Sequence, residues 1–160
     1  ETLVAYYWRE KGVDARIARI FNTYGPNMHR DDLRMIASFI MQASKNEPIT
    51  IFGDGKQTRS LCYVDDLVDG LMKLMFSEKT TKEIVNLGNP QEHTVLEYAE
   101  IVKRLTNSQS EITFSEELPL DDPKQRKPDI SKANTLLFWK PTVTLEAGLE
   151  KTISYFKGIL

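Results

Sequence analysis

Apolar residues along the chain recur at two spacings, one helical and one extended. Intervals of three or four residues predict helices. These helices cover 1–11, 32–45, a segment that starts at Asp65 or Asp66, one that starts at Thr94, a short one after Asp129 and one that contains Leu145 to Phe156. Short apolar runs predict strands at 13–21, 49–52, 57–64, 82–90 and 111–115. Helices that alternate with short buried strands are typical of an α/β fold.

Capping and turn residues mark several element ends. Gly12 is placed to end the first helix, Asp31 or Asp32 to begin the second, and Thr94 with Glu97 to form a capping box. The Gly53–Gly55 turn joins the strands at 49–52 and 57–64. Helical spacing directs the following residues inward: Leu3, Val4, Tyr7, Trp8, Leu33, Ile36, Phe39, Ile40, Ala43, Leu67, Leu71, Leu74, Met75, Leu96, Ala99, Val102 and Leu105.

Composition narrows the class of protein. The 160 residues are 41% hydrophobic and 28% charged, which predicts one globular domain with a buried core. The 21 Lys and Arg are interspersed with 23 Asp and Glu, so no basic surface for nucleic acid is expected. With the single Cys62 and no apolar run of about 20 residues, we expect no disulfide and no membrane segment. A cytoplasmic protein is the default expectation.

Candidate chemistry is concentrated in arginines. The sequence has no GxGxxG, Walker A, HExxH, CxxC or GxSxG motif, and its two histidines lack ligand spacing, so we expect no metal site. Arg34, Arg59 and Arg126 each lie near Gly, Pro or Asp, where a guanidinium can bind phosphate or carboxylate groups. The alternative is that they form ordinary surface ion pairs. Paired aspartates such as Asp65 and Asp66 are more typical of helix caps than of catalytic dyads.

Two predicted loops are candidate binding regions. The segment 22–32 leaves the carboxyl end of a strand, which is where ligands bind in open α/β sheets. The segment 116–129 has three prolines and no apolar period, which predicts a surface loop.

Several motifs together resemble a known family. They are ARIFNTYGP (18–26), GDGKQTRSLCYVDDLVDGL (53–71), EIVNLGNP (83–90), QRKPDISKA (125–133) and the LFWKP element (137–141). They resemble the C-terminal half of the NAD-dependent epimerase/dehydratase family, the extended short-chain dehydrogenases that act on nucleotide sugars. Arg34 and Arg126 in their sequence context point to the UDP-glucuronate decarboxylase (UDP-xylose synthase) branch.

The resemblance implies a fold and a division of the chain. The expected fold is the last part of an NAD(P)-binding Rossmann sheet, from 1–31 and about 83–93, plus a small mixed α/β substrate-binding domain from about 32–82 and 94–160. The family's glycine-rich loop and catalytic Tyr-x-x-x-Lys would precede Glu1, so this stretch alone should not catalyse. Tyr7 and Lys11 have that spacing but are not taken for the pair.

The resemblance also implies a reaction. NAD⁺ would oxidise C4 of UDP-glucuronate, the keto acid would lose CO₂, and NADH would return the hydride to give UDP-xylose. The alternatives are a nucleotide-sugar 4,6-dehydratase, a 4-epimerase, or a non-catalytic nucleotide-sugar-binding fragment. The intact family enzyme is expected to be a homodimer that uses the helix at 1–11. A Golgi or endoplasmic reticulum lumen would replace the cytoplasm if a membrane anchor preceded this stretch.

Site residues follow from matching motif positions. Asn22 matches a nucleotide-sugar contact, Arg59 the arginine on the diphosphate, and Arg126 the arginine expected at the uronate carboxylate or as a proton donor. Because an arginine rarely gives up its proton, we prefer the carboxylate role for Arg126. The remaining matches are Thr23, His29 and Arg34 on the cofactor side, and Ile51, Phe52 and Gly53 as a wall against uracil.

Overall fold

Short strands and amphipathic helices alternate along the chain, in a computed structural model that describes residues 1–29, 31–115 and 126–160. Within these residues the helices are α1 (Thr2–Glu10), α2 (Met35–Ser44), α3 (Val64–Phe76), α4 (Val95–Thr106), α5 (Ser131–Leu137) and α6 (Leu145–Lys157), with a 3₁₀ turn at Glu78–Thr80. The strands are β1 (Ile17–Ile20), β2 (Thr23–Tyr24), β3 (Ile49–Phe52), β4 (Thr58–Ser60), β5 (Cys62–Tyr63), β6 (Ile84–Leu87), β7 (Glu92–Thr94) and β8 (Ile112–Ser115). The predicted α/β class is confirmed.

The described strands associate in pairs. Three pairs are parallel, β1 with β6, β2 with β5 and β3 with β8, while β4 and β7 are antiparallel. In the first pair Ile17 lies opposite Ile84 and Ile20 opposite Leu87. Parallel strands require a crossover connection, and α3, which precedes β6, packs on both strands of this pair. The carboxyl ends of β1 and β6 therefore lie side by side.

Apolar side chains form two buried clusters. The larger cluster joins α2, α4 and α6 to β3, and its fully buried members include Ile40, Ile49, Ile51, Leu149 and Phe156. The smaller cluster lies around Trp139 between α3, α5 and β6. No helix in the described ranges is long and apolar enough to span a membrane.

Two predicted element ends are confirmed. The Thr94 hydroxyl accepts a hydrogen bond from the backbone N–H of Glu97, and the Glu97 carboxylate accepts one from the backbone N–H of Thr94, at 3.1 and 2.6 Å. This is the capping box expected at the start of α4. Gly12 follows α1 with φ of +64°, the left-handed conformation that a C-terminal glycine cap requires.

The predicted Gly53–Gly55 turn joins β3 to β4, but these two strands do not pair with each other. β3 pairs with β8 and β4 pairs with β7, so the turn separates two sheets. The glycines adopt φ of +74° and +72°, which explains why glycine is used there. A tight turn does not by itself choose pairing partners. β3 is buried beneath α2 and α4. It is therefore separate from the two-stranded β4–β7 ribbon, which carries Arg59.

Several residues predicted to face inward are exposed. Leu33 is 92% exposed, because α2 begins two residues later at Met35. Met75, in the last turn of α3, is 63% exposed. Of the predicted inner face of α1, only Trp8 is buried, and Leu3 and Tyr7 are exposed. Periodicity identifies the apolar face of a helix but does not show that another element covers it.

Two further expectations are corrected. The N-cap of α2 is Arg34 without a side-chain cap bond, and Asp32 binds Arg34 instead of capping the helix. β1, predicted to be largely buried, is half-buried to exposed, with Ile20 more than half exposed. Among the described strands β1 pairs only with β6, so no described strand pairs with its other edge.

Candidate functional site

A cleft of about 370 Å³ opens where the carboxyl end of β1, the start of α2 and the β4 strand meet. Its polar wall includes Asn22, Thr23, Arg34, Arg59 and Arg126. These five predicted residues come from four separate parts of the chain, and the fold brings them together. The rest of the wall is mainly apolar, with additional polar groups: Tyr24, Met28, Leu33, Met35, Ile36, Ser38, Phe39, Thr50, Phe52, Gln57, Leu61 and Val95.

Asn22 and Thr23 are held by the backbone at the end of β1. The carbonyl of Asn22 accepts a hydrogen bond of 2.9 Å from the backbone N–H of Cys62, which starts β5. The Thr23 hydroxyl donates to the carbonyl of Phe21 at 2.9 Å. With its proton committed in this way, the hydroxyl oxygen presents its lone pairs to the cleft. The position at the carboxyl end of a parallel strand is the usual ligand site of α/β sheets.

Arg59 is a buried cation in the cleft wall. Its side chain lies on β4, the residue is only 8% exposed, and a guanidinium nitrogen donates to the carbonyl of Thr58 at 2.7 Å. The carbonyl of Arg59 in turn accepts a 3.0 Å hydrogen bond from the Tyr98 hydroxyl on α4. Burial of a positive charge is costly unless anionic or polar partners compensate it. A buried guanidinium at a cleft is therefore well suited to a phosphate or carboxylate.

Arg34 already has a carboxylate partner. Its guanidinium donates to both oxygens of Asp32, at 3.0 and 2.8 Å from Nε. The hydrogen bonds and charge of Arg34 lower the pKa of the Asp32 carboxyl, so Asp32 is ionised at neutral pH. An anionic ligand at Arg34 would share this cation with Asp32.

Arg126 lies at the exposed rim of the same cleft. The residues that follow it are attached to the β6–β7 corner. Lys127 forms an ion pair of 3.4 Å with Glu92, and the carbonyl of Asp129 accepts a 3.0 Å hydrogen bond from the Asn86 side chain. The guanidinium can therefore reach a ligand in the cleft from a fixed backbone.

The remaining predicted site residues are distributed differently. Phe52 lines the cleft and is half exposed, whereas Ile51 on the same strand is fully buried in the core. Gly53 forms the turn after β3, and its N–H donates to the carbonyl of Ser115. His29 lies outside the cleft lining on an exposed loop, where its Nδ1 accepts a hydrogen bond of 3.2 Å from the backbone N–H of Asp31. Of the predicted uracil wall, only Phe52 faces the cleft.

Some cleft residues were missed by sequence reasoning. Gln57 lines the cleft and donates a 2.7 Å hydrogen bond to the carbonyl of Phe52. Gln57 precedes Arg59 by two residues, and this spacing places both side chains on one face of a strand. The sequence therefore contains a pattern that indicates Gln57 as a neighbour of Arg59. Met28 and Met35 had no such signal, because only the tertiary fold brings them to the cleft.

Among the described residues, the charged side chains of the cleft lining are all positive. Three arginines belong to the lining, and among the described residues no carboxylate does. Over the described parts of the chain, no group of three or more His, Cys, Asp or Glu residues could hold a metal ion. The arrangement fits an organic ligand with more than one anionic group, held against an apolar wall.

Comparison with known proteins agrees with this geometry. A family profile described as the NAD dependent epimerase/dehydratase family matches residues 1–88. The chain belongs to this family. It is 51% identical over 157 residues to UDP-glucuronic acid decarboxylase 1 of Xenopus tropicalis, covering 98% of this chain and 37% of that protein. It is 53% identical over 149 residues to UDP-glucuronic acid decarboxylase 5 of Arabidopsis thaliana, covering 93% of this chain and 43% of that protein.

A solved structure of the same family has the same fold. It is UDP-glucuronic acid 4-epimerase from Bacillus cereus in complex with UDP-glucuronic acid and NAD, with a TM-score of 0.90 and 32% identity. The match covers 99% of this chain and 50% of the epimerase. The chain thus spans half or less of the length of these three relatives.

Proposed function

We propose that this chain is the nucleotide-sugar-binding part of an NAD-dependent enzyme that converts UDP-glucuronate to UDP-xylose and CO₂. The observation that carries the proposal is the convergence of Arg34, Arg59 and Arg126 on one cleft whose described lining has no carboxylate. UDP-glucuronate carries a diphosphate near its middle and a carboxylate at its sugar end. The identity of about 50% to proteins named UDP-glucuronic acid decarboxylase supports this choice of substrate.

The diphosphate is assigned to Arg59. A buried guanidinium can donate paired, charge-assisted hydrogen bonds to phosphate oxygens, and these bonds strengthen where water is excluded. Phe52 and the methionines of the cleft offer apolar contact to the uracil ring. Asn22 offers an amide to the sugar hydroxyls. These contacts supply binding energy distant from the reacting bond, which holds the sugar in one orientation.

The uronate carboxylate is assigned to Arg126. Once C4 is a ketone, the carboxylate is β to a carbonyl, and loss of CO₂ leaves electrons that this carbonyl can delocalise. The carbonyl can do so only if the breaking bond, which joins the carboxylate carbon to the sugar ring, lies perpendicular to the plane of the ketone. Arg126 would fix the carboxylate in that orientation.

NAD is the cofactor that the family implies, and the described residues fit one side of it. A second cavity of about 450 Å³ adjoins the cleft, and Thr23 and Arg34 line both cavities. These two residues would hold the cofactor beside the sugar, with Asp65 in the second lining suited to a ribose hydroxyl. His29 has no place in either lining. When bound, NAD⁺ would supply a hydride acceptor for C4 of the sugar and would return the hydride to the C4 ketone once C5 has taken up a proton in place of CO₂.

The proposal includes the homodimer and the division of the chain. Leu3, Tyr6 and Tyr7 form an exposed apolar patch on α1, which suits a subunit interface. We assign 1–31 and about 83–93 to the nucleotide-binding sheet, and about 32–82 and 94–160 to the substrate-binding domain. The 160-residue chain, lacking a glycine-rich loop, is expected to be inactive by itself. Light scattering on the intact protein and on this chain would test the dimer.

The reaction is tested with the intact protein that carries this sequence. We expect NAD-dependent release of CO₂ and formation of UDP-xylose from UDP-glucuronate, followed by NMR, and no CO₂ with UDP-glucose or dTDP-glucose. Formation of UDP-galacturonate without CO₂ would instead identify a 4-epimerase. Ligand binding without turnover would identify a non-catalytic binding protein.

Two substitutions locate the carboxylate. Arg126→Ala is expected to lower kcat/KM for UDP-glucuronate by about 100-fold or more, while changing UDP affinity by less than about threefold. Arg104→Ala is the matched control, because Arg104 is an exposed arginine that forms an ion pair of 3.6 Å with Glu146 on α6. Unchanged turnover in Arg126→Ala would contradict the assignment.

A further inference from the structure

Glu92, at the start of β7, contacts the sequence neighbours of both Arg59 and Arg126. One carboxylate oxygen, Oε1, accepts a 2.8 Å hydrogen bond from the Thr58 hydroxyl. The other, Oε2, lies 3.4 Å from the Lys127 ammonium. The Glu92 side chain is 18% exposed, so these contacts are partly shielded from solvent. A single carboxylate therefore links the β4 strand to the segment that carries Arg126.

Glu92 acts from the side of the ribbon opposite Arg59. In the β4–β7 pair, Arg59 lies opposite His93, while Thr58 and Glu92 occupy the alternate positions. Because side chains alternate across a strand, Thr58 and Glu92 share one face and Arg59 is directed to the other. Glu92 is accordingly not part of the cleft lining. Its carboxylate binds neighbouring groups of the ribbon, but it does not lie among the side chains that face an anionic ligand.

The segment after Arg126 has two further attachments. A methyl group on Gly88 would come within 3.0 Å of the Pro128 ring and 2.7 Å of the Phe21 Cβ, so Pro128 packs closely on the end of β6. The Asn86 amide holds the carbonyl of Asp129. These two contacts fix the far end of the segment. The ion pair from Lys127 to Glu92 fixes the end nearest Arg126.

We propose that Glu92 is a positioning residue that sets the separation of the Arg59 and Arg126 guanidinium groups. The proposal rests on the function proposed above, in which these two arginines hold the diphosphate and the carboxylate of one ligand. Without the link, the Arg126 end of the segment loses its attachment to β7, and the carboxylate of the sugar meets a mobile cation. UDP, which has no carboxylate, does not depend on the link.

Three substitutions separate the contacts. Glu92→Gln keeps an oxygen that accepts from Thr58 but removes the charge that attracts Lys127. Lys127→Met removes the cation, and Lys127→Arg retains it. Lys132→Met is the control, since Lys132 forms a comparable partly exposed ion pair with Glu83 away from the cleft.

The measurement is calorimetric binding of UDP and of UDP-glucuronate to the intact, NAD-loaded protein. Glu92→Gln and Lys127→Met are expected to weaken UDP-glucuronate binding about tenfold and UDP binding less than twofold, with Lys127→Arg and Lys132→Met near wild type. Equal weakening of both ligands would show a general structural role and overturn the proposal. So would unchanged binding of both.

Hydrogen exchange without ligand tests the positioning independently of the reaction. The backbone amides of 127 and 129–131 are expected to exchange faster in Glu92→Gln and Lys127→Met than in wild type or Lys132→Met. Unchanged exchange would overturn the proposal even if UDP-glucuronate is the substrate. If wild type fails to bind UDP-glucuronate but these amides respond as expected, the proposed substrate is wrong and Glu92 still positions Arg126.

Discussion

The hydroxyl of Tyr98 donates a 3.0 Å hydrogen bond to the backbone carbonyl of Arg59 and so connects the core to the buried cation of the cleft. Tyr98 is 1% exposed and belongs to the larger hydrophobic cluster. Burial raises the pKa of its hydroxyl well above the ordinary value, so the group remains a proton donor at physiological pH. The position of Arg59 therefore depends on α4, a helix whose contribution to the described cleft lining is the apolar Val95.

Tyr98→Phe removes this donor and leaves the Arg59 carbonyl without it. Loss of one partner from a buried hydrogen bond costs about 1–3 kcal/mol, so the free energy of unfolding in urea should fall by that amount. UDP affinity should fall as well, because the strand that holds Arg59 is less well fixed. Tyr6→Phe, on the exposed face of α1, is the control. Equal stability of Tyr98→Phe and wild type would contradict this account.

Gly148 in α6 lets the helix backbone pack closely against the Tyr24 side chain. A methyl group at this position would overlap the Tyr24 hydroxyl and lie 2.9 Å from both the Tyr24 Cζ and the Tyr63 Cδ2. Gly148→Ala should therefore destabilise the protein by about 1–3 kcal/mol, although alanine is the better helix former. Adding Tyr24→Phe should recover part of the loss, measured as a double-mutant cycle in urea. Strictly additive costs would contradict the steric explanation.

Asp66 joins α3 to the segment before α6. Its carboxylate accepts hydrogen bonds of 2.9–3.1 Å from the Thr142 backbone and hydroxyl and from the Val143 N–H. In Asp66→Asn an NH₂ group replaces one carboxylate oxygen and faces an N–H or O–H donor instead of accepting from it. The free energy of unfolding should therefore fall by about 1–3 kcal/mol. Asp69→Asn, in an exposed pair with Lys73, should change stability by less than about 0.5 kcal/mol. Thermal unfolding of both variants tests the difference, and similar losses would contradict it.

The sequence predicted most helices and the capping box correctly, because both depend on local spacing. It failed where the result depends on distant partners. The Gly53–Gly55 turn could not show that β3 pairs with β8, since that pairing depends on burial under two helices. Asp66 carried a cap-like signal, yet it binds a segment 76 residues away.

The candidate site was predictable to a similar extent. Motifs in the sequence identify Arg59 and Arg126 as candidates. Only the fold shows that both side chains line one cleft. Glu92 has no motif of its own, so its contacts with Thr58 and Lys127 could not be expected from the sequence. Ile51 shows the reverse case, because a residue matched to the ligand wall belongs to the core.

The capping box of α4 should make stability depend on pH in the acid range. Hydrogen bonds from Thr94 lower the pKa of the Glu97 carboxyl below its ordinary value of 4.5, with a smaller contribution from His93. Because the folded-state pKa is the lower one, this stabilisation is complete above about pH 4.5 and is lost as pH falls through the lowered pKa. Glu97→Gln should therefore have a lower free energy of unfolding than wild type at pH 7. The two free energies should converge below that pKa, in urea titrations at each pH.

Thr94→Ala is the control, since the Thr94 hydroxyl accepts a hydrogen bond from the Glu97 N–H whether or not the carboxyl is protonated. The stability lost in Thr94→Ala should therefore persist in acid. A Glu97→Gln difference that stays constant across this range would show that the charge of Glu97 does not stabilise the helix.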